Sequence, residues 1–136
     1  MNDDSLVAWK PQYSVNIEAI DRQHQGLVDL IRQLQEAMWE GRGQAFQRTL
    51  LDRLVDYTQV HFAFEEKLLQ ERAYESLAEH VEQHRMLTSQ VRDLQQRMHE
   101  GKVISNASMM LFLRHWLIDH ILEQDQKYAR ALNSVT

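Results

Sequence analysis

The chain has 136 residues, 43% apolar and 26% charged, with 4 glycines, 1 proline and no cysteine. That is enough for one domain with one core, and the balance excludes a disordered or fibrous chain. Without cysteine there is no disulfide framework, thiolate metal site or cysteine nucleophile, and a formal net charge of −5 speaks against nucleic acid, whose phosphates need a basic face. No apolar run approaches the ~20 residues of a membrane span. The acidic start Met1-Asn2-Asp3-Asp4 is not followed by a signal-peptide-like apolar run, so a cytoplasmic protein is expected.

The scarcity of breakers points to long helices, and residues 1–136 read as one domain. Residues 1–16 form an arm in which Trp9, Pro11 and Tyr13 are too apolar for a free tail. Four periodic stretches follow over 17–133. The first, about 17–39, carries Ile20, Leu27, Ile31, Leu34 and Met38 on one stripe, with Asn16 as expected N-cap and Gly41-Arg42-Gly43 as its end. The second, about 44–72, is expected to turn Phe46, Leu50, Leu54, Tyr57, Phe64 and Leu68 inward. The third, about 76–100, carries Leu77, Leu87, Val91, Leu94 and Met98 and stops at Gly101. The fourth, about 106–133, has Leu113, Leu117, Ile121, Tyr128 and Leu132. Steps of three and four with short connections predict an all-α, antiparallel up-down-up-down four-helix bundle preceded by the arm.

Ionisable residues fill the gaps in those stripes. His24 lies between Ile20 and Leu27; His61 lies between Tyr57 and Phe64, with Glu65 one turn on. His80 and His84 lie between Leu77 and Leu87, and His120 and Asp125 extend the fourth stripe. All four rods thus point polar groups inward, by this reading near the middle of their length. Burying such groups unpaired costs several kcal/mol, and a metal compensates by satisfying lone pairs and charge together.

His61-x-x-x-Glu65 and His80-x-x-x-His84 are i,i+4 pairs, about 40° apart around a helix, so both members can reach one ion. His120 and Asp125 are five apart, about 140° on a straight helix. If both are ligands, a π-type widening is expected between them, near Ile121 to Gln124, and the stripe does shift phase there. Five imidazoles and two carboxylates exceed the needs of one tetrahedral or octahedral ion. Two ions bridged by Glu65 and Asp125 would use the whole set, and a nitrogen-rich site suits iron.

At these residues the chain resembles the hemerythrins, specifically the bacterial single-domain type. The resemblance rests on Ile20-Asp21-Arg22-Gln23-His24, on the His61/Glu65, His80/His84 and His120/Asp125 pairs in order, and on Trp116-Leu117-x-x-His120-Ile121-x-x-x-Asp125-x-x-Tyr128. It covers essentially the whole chain, and Trp9 is similar to part of the family's N-terminal arm. One departure is Glu75, where bacterial members commonly have proline after the aromatic residue of the turn. The resemblance implies one iron held by His80, His84 and His120, and a second held by His24 and His61. Glu65 and Asp125 and an oxo or hydroxo group would bridge them. It further implies reversible dioxygen binding at the second iron, in a pocket lined by Leu27, Phe62, Trp116, Leu117 and Ile121.

His115-x-x-x-Asp119 is also an i,i+4 pair but reads as a solvated one; His99 sits at a helix C-terminus, where a cation is favoured. Glu66 competes with Glu65 for a surface role, and Met86, Met109 and Met110 read as apolar gap-fillers. The expected function is oxygen storage, delivery or buffering, not enzymatic turnover. The alternative is a sensor of oxygen, nitric oxide or redox state at the same site, although no output domain is attached. An apolar stripe consumed by the core points to a monomer.

Overall fold

The computed structural model describes residues 7–133; residues 1–6, including the acidic start, and 134–136 lie outside the described residues. Three long helices come first: α1 (Glu18–Trp39), α2 (Gln44–Glu71) and α3 (Leu77–His99). The fourth rod consists of α4 (Asn106–Arg114), a π-helical segment (His115–Leu122) and α5 (Asp125–Asn133). There is no strand among the described residues, and the rods form a four-helix bundle. No helix among them is long and apolar enough to cross a membrane.

The helix ends follow from local chemistry. After α1, Gly41 adopts φ 69°; its N–H donates to Met38 O, and the Arg42 N–H donates to Ala37 O at 2.9 Å. Gly101 (φ 78°) closes α3 in the same way, with Lys102 N–H on Arg97 O. This reciprocal pair satisfies the orphan carbonyls and needs a left-handed residue, which glycine supplies without strain. The end of α2 has the same bonds, Ala73 N–H to Gln70 O and Tyr74 N–H to Leu69 O, but an alanine at φ 54°. That conformation costs an L-residue roughly 1 kcal/mol.

The start of α1 differs from expectation. Asn16 does not cap it; it takes a left-handed conformation (φ 61°), and Ile17 occupies the cap position without a side-chain bond. Asp21 instead reaches back, accepting from the Val15 N–H at 2.8 Å and the Ser14 hydroxyl at 2.6 Å. The described part of the arm lies on the last rod. Gln126 Nε2 donates to Tyr13 O at 3.2 Å and Asn133 Nδ2 to Val15 O at 3.0 Å, while Trp9 packs edge-on against buried Tyr13.

The apolar interior is divided in two. The larger part contains Leu27, Ile31, Leu54, Phe62, Leu87, Val91, Leu113, Trp116, Leu117 and Ile121. A smaller one contains Val15, Ile20, Leu69, Tyr128 and Ala129. Between them on each rod sit buried polar residues: His24, His61 with Glu65, His80 with His84, and Asp125. This layer is not at mid-length. It falls early in α1 and α3 and late in α2 and the fourth rod, which antiparallel packing brings to the same end. On α2 the buried stripe runs Leu50, Leu51, Leu54, Val55, Thr58, His61, Phe62, Glu65 and Leu69. Phe46 and Phe64, expected inward, lie on the exposed side, as does Met86 on α3.

Candidate metal centre

Four backbones converge on the polar layer. On α1, His24 sits one residue after Gln23, whose carbonyl accepts from the Tyr57 hydroxyl of α2 at 2.9 Å. That close approach explains Gly26, since a Cβ there would collide with the Tyr57 ring. The i,i+4 spacings on α2 and α3 place His61 with Glu65, and His80 with His84, as pairs facing across the bundle. Asp125 opens α5 and is 2% exposed, while Glu65 and His24 are fully buried.

The side chains form two groups: His24, His61, Glu65 and Asp125, and then Glu65, His80, His84 and Asp125. Within each, one potential ligand atom per residue lies within 4.8 Å of the others. The carboxylates belong to both groups, and each splits its oxygens between them. Glu65 Oε2 faces His24 Nε2 at 3.7 Å and His61 Nε2 at 3.6 Å. Glu65 Oε1 faces His80 Nε2 at 2.8 Å and His84 Nε2 at 2.9 Å. Asp125 turns Oδ2 to His24 Nε2 at 2.9 Å and Oδ1 to His80 Nε2 at 3.1 Å.

The electrostatics show what this layer does without a metal. Burial opposes protonation of His24, but Asp125 and Glu65 overcome it and raise the group to about 9; the same balance raises His80 to about 10. Burial instead pushes His61 down to about 3, with its neighbouring histidines adding to the effect. Burial acts against ionisation of Glu65, yet the imidazoles of His24, His80 and His84 around it hold it well below the usual carboxylate range. Burial and the Glu65 charge raise Asp125. A histidine raised in the fold contributes stability fully present below its unfolded value of 6.5 and lost as pH rises through its folded value. The metal-free chain is therefore expected to lose stability steadily as pH climbs from 6.5 through about 9 and 10. Urea midpoints of chelator-treated protein check this; midpoints that stay level or rise over that range would contradict it.

The ion pairs do not satisfy the layer. Both ring nitrogens of His24, Nε2 of His61 and Oδ2 of Asp125 are buried without a hydrogen-bond partner. Although His24 Nε2 and Asp125 Oδ2 are 2.9 Å apart, they do not align as donor and acceptor. Orphaned buried lone pairs are costly, and a nitrogen-and-carboxylate donor set of this kind suits iron or another first-row divalent ion. The residues present fit a pair of such ions.

His120 is the sequence-predicted ligand that the structure does not bring in. It is exposed and lines a cavity of about 230 Å3 with Gln83, Met86, Leu87, Gln90 and Gln124. The reason is where the widening falls. Rather than lying between Ile121 and Gln124, it spans His115–Leu122, with the Glu123 N–H donating five residues back to Ile118 O. Along the widened segment buried Trp116 and Leu117 are followed five residues on by buried Ile121 and Leu122, and exposed His115 by exposed His120. The widening runs past His120 to Leu122, leaving His120 on the outer side, and Asp125 returns to the core alone.

The five expected pocket residues, Leu27, Phe62, Trp116, Leu117 and Ile121, are all at most 4% exposed and belong to the larger apolar cluster. Phe62 stacks on the His84 ring, 3.8 Å between centroids and 6° from parallel, and the Trp116 indole donates to Leu87 O at 3.0 Å. His115 and Asp119 pair on the surface, and His99 meets Asp52 at 2.9 Å.

Three site contacts were not legible in the pattern. The Tyr128 hydroxyl donates to Glu65 Oε2 at 2.7 Å, and its ionisation is strongly disfavoured by burial and by Asp125 and Glu65. Gln23 Oε1 accepts from His61 Nδ1 at 2.6 Å, and Glu66 Oε2 accepts from His84 Nδ1 at 2.7 Å. The available signal was adjacency: each of the latter two sits beside a buried polar residue and reaches across to the next helix.

Comparison with known proteins agrees with this geometry. Residues 15–132 match the family model described as the hemerythrin HHE cation binding domain. A bacteriohemerythrin of Stenotrophomonas maltophilia is 33% identical over 125 residues, 92% of this chain and 80% of that protein. One of Methylococcus capsulatus is 30% identical over 131 residues, covering 96% and 99%. A crystal structure of wild-type hemerythrin superposes with a TM-score of 0.83 at 30% identity, covering 93% of this chain and 98% of that one. The chain belongs to the hemerythrin family, whose domain binds a diiron centre.

Proposed function

We propose that this protein binds dioxygen reversibly at a two-iron centre, for storage, delivery or buffering of oxygen. The observation that carries this reading is the division of the Glu65 and Asp125 oxygens between two buried histidine pairs. In it, His24 and His61 would hold one ion and His80 and His84 the other, with Glu65 and Asp125 shared between the two. His120 would join His80 and His84 only if the π segment turned its ring inward. When bound, a ferrous pair supplies the two electrons that reversible binding of dioxygen requires.

The chain's own residues do the remaining work. Leu27, Phe62, Trp116, Leu117 and Ile121 close the layer on one side with apolar surface that keeps water out. Exclusion of water slows proton delivery to the site, which favours reversible binding over turnover. Tyr128 closes the other side and holds its proton against Glu65 Oε2.

The test is the visible absorption spectrum of reduced, iron-loaded protein before oxygen, after oxygen, and after its removal. A charge-transfer band that appears with oxygen and fades on stripping is expected. Leu117→Asn, which puts a polar group into the dry wall, should shorten the life of the oxygenated form several-fold. Protein confirmed to hold two irons that develops no such band would overturn the oxygen-binding reading.

A further inference from the structure

The arm is fastened to two helices that each carry one member of the buried layer. On α1, Asp21 accepts the Val15 N–H on Oδ1 at 2.8 Å and the Ser14 hydroxyl on Oδ2 at 2.6 Å. On α5, Gln126 Nε2 donates to Tyr13 O at 3.2 Å and to Ser14 O at 3.4 Å, and Asn133 Nδ2 donates to Val15 O at 3.0 Å. The side chains of the arm are fixed as well: Val7 and Val15 are fully buried, and so is most of Tyr13. Val15 completes the small apolar cluster of Ile20, Leu69, Tyr128 and Ala129.

These anchors flank the layer. Asp21 lies about one turn before His24, Gln126 directly follows Asp125, and His24 Nε2 meets Asp125 Oδ2 at 2.9 Å. Asp125 depends on such anchoring more than Glu65 does. Glu65 sits inside the 28-residue α2, whereas Asp125 opens the nine-residue α5, directly after a turn at Glu123 and Gln124. A helix that short is marginal by itself, so tertiary bonds set its position. They include the Tyr128 hydroxyl on Glu65, the packing of Tyr128 and Ala129, and the two side-chain amides on the arm.

We propose that Asp21, Gln126 and Asn133 are positioning residues that act through the arm: they tie α1 to α5, hold Asp125 against His24, and so couple seating of the arm to occupancy of the layer. His24 and Asp125 can grip an ion together only while the two helices that the arm spans stay together. Coupling of this kind is reciprocal, so occupancy steadies the arm and a loosened arm shortens occupancy. The proposal rests on the two-ion reading above and adds to it a segment whose seating follows the state of the site. Gln126→Met keeps length and neutrality but cannot donate to the arm. Asp21→Ala removes two bonds, whereas Asp21→Asn keeps an acceptor for the Val15 N–H and can donate to the Ser14 hydroxyl, which separates the bonds from the charge.

The experiment uses the full chain and zinc(II), a redox-inert first-row ion. Exchange of the Val15 amide hydrogen is followed by NMR with and without the metal. The reference is the Lys102 amide, bonded to Arg97 O at 3.0 Å at the opposite end of the bundle. Release of zinc to excess chelator is timed for the parent and each variant. Loading should slow exchange at Val15 and leave Lys102 nearly unchanged, and Gln126→Met should shrink that difference. Gln126→Met and Asp21→Ala should speed release by about 2- to 30-fold, with Asp21→Asn close to the parent. A tie that only stabilised the fold would slow exchange at both amides alike. That result in the parent, which needs no variant to fold, or release from Gln126→Met at the parental rate, would overturn the inference while leaving two-ion binding intact. A parent chain that takes up fewer than two zinc ions would overturn the two-ion reading and the inference with it.

Discussion

Glu65→Gln is expected to reduce the metal content of the protein from two ions per chain to one or none, as measured by elemental analysis after reconstitution and desalting. Glu65 offers one oxygen to His24 and His61 and the other to His80 and His84. A carboxamide keeps the volume but has only one acceptor oxygen and no charge, so it cannot serve both positions. The metal-free fold should also weaken. The charge that raises His24 and His80 is Glu65 as well as Asp125, and the Tyr128 hydroxyl donates to Glu65. Removing one partner of a buried ion pair typically costs about 3–5 kcal/mol, although neutralisation of the histidines limits the loss here. A variant that retains two ions at parental affinity would rule out a bridging role for Glu65.

Removing the metals from the intact chain should have the next largest effect. The metal-free layer leaves four buried side-chain atoms without a hydrogen-bond partner. Ligands that bind only the folded state add their binding free energy to its stability. Two ions, each at a hundredfold excess over its dissociation constant, contribute about 5 kcal/mol. For a chain of this length that raises Tm by roughly 20 °C. Calorimetry of chelator-treated and reconstituted protein measures the difference. Equal melting temperatures would mean that the layer does not hold ions in the folded state.

The physical origin of both effects was visible in the residue pattern. An amphipathic stripe has a fixed angular period, so an ionisable residue occupying a stripe position faces the core whatever the partner helices do. His24, His61, Glu65, His80 and His84 could therefore be read directly, because each lies on an unbroken α-helix. The same logic misplaced Phe46 and Phe64, where α2 offers apolar residues on more than one face and packing against α1 and α3 selects Phe62 and Leu69. It also reached its limit at His120. A π-type widening was inferable from the five-residue spacing to Asp125, but the turn that widens depends on how Trp116, Leu117, Ile121 and Leu122 seat in the core.

What the sequence by itself determined is local and periodic: four amphipathic rods, their glycine ends at Gly41 and Gly101, and a buried polar layer carried by most of the predicted ligands. These follow from backbone geometry and from the cost of burying unpaired charge. The tertiary structure alone decided the non-local features. It placed the layer toward one end of the bundle, imposed a left-handed alanine at Ala73, turned His120 to the surface, and brought Tyr128, Gln23 and Glu66 against the histidines and Glu65. Each of these depends on which faces of different helices meet, and that is set by the packing of the whole core.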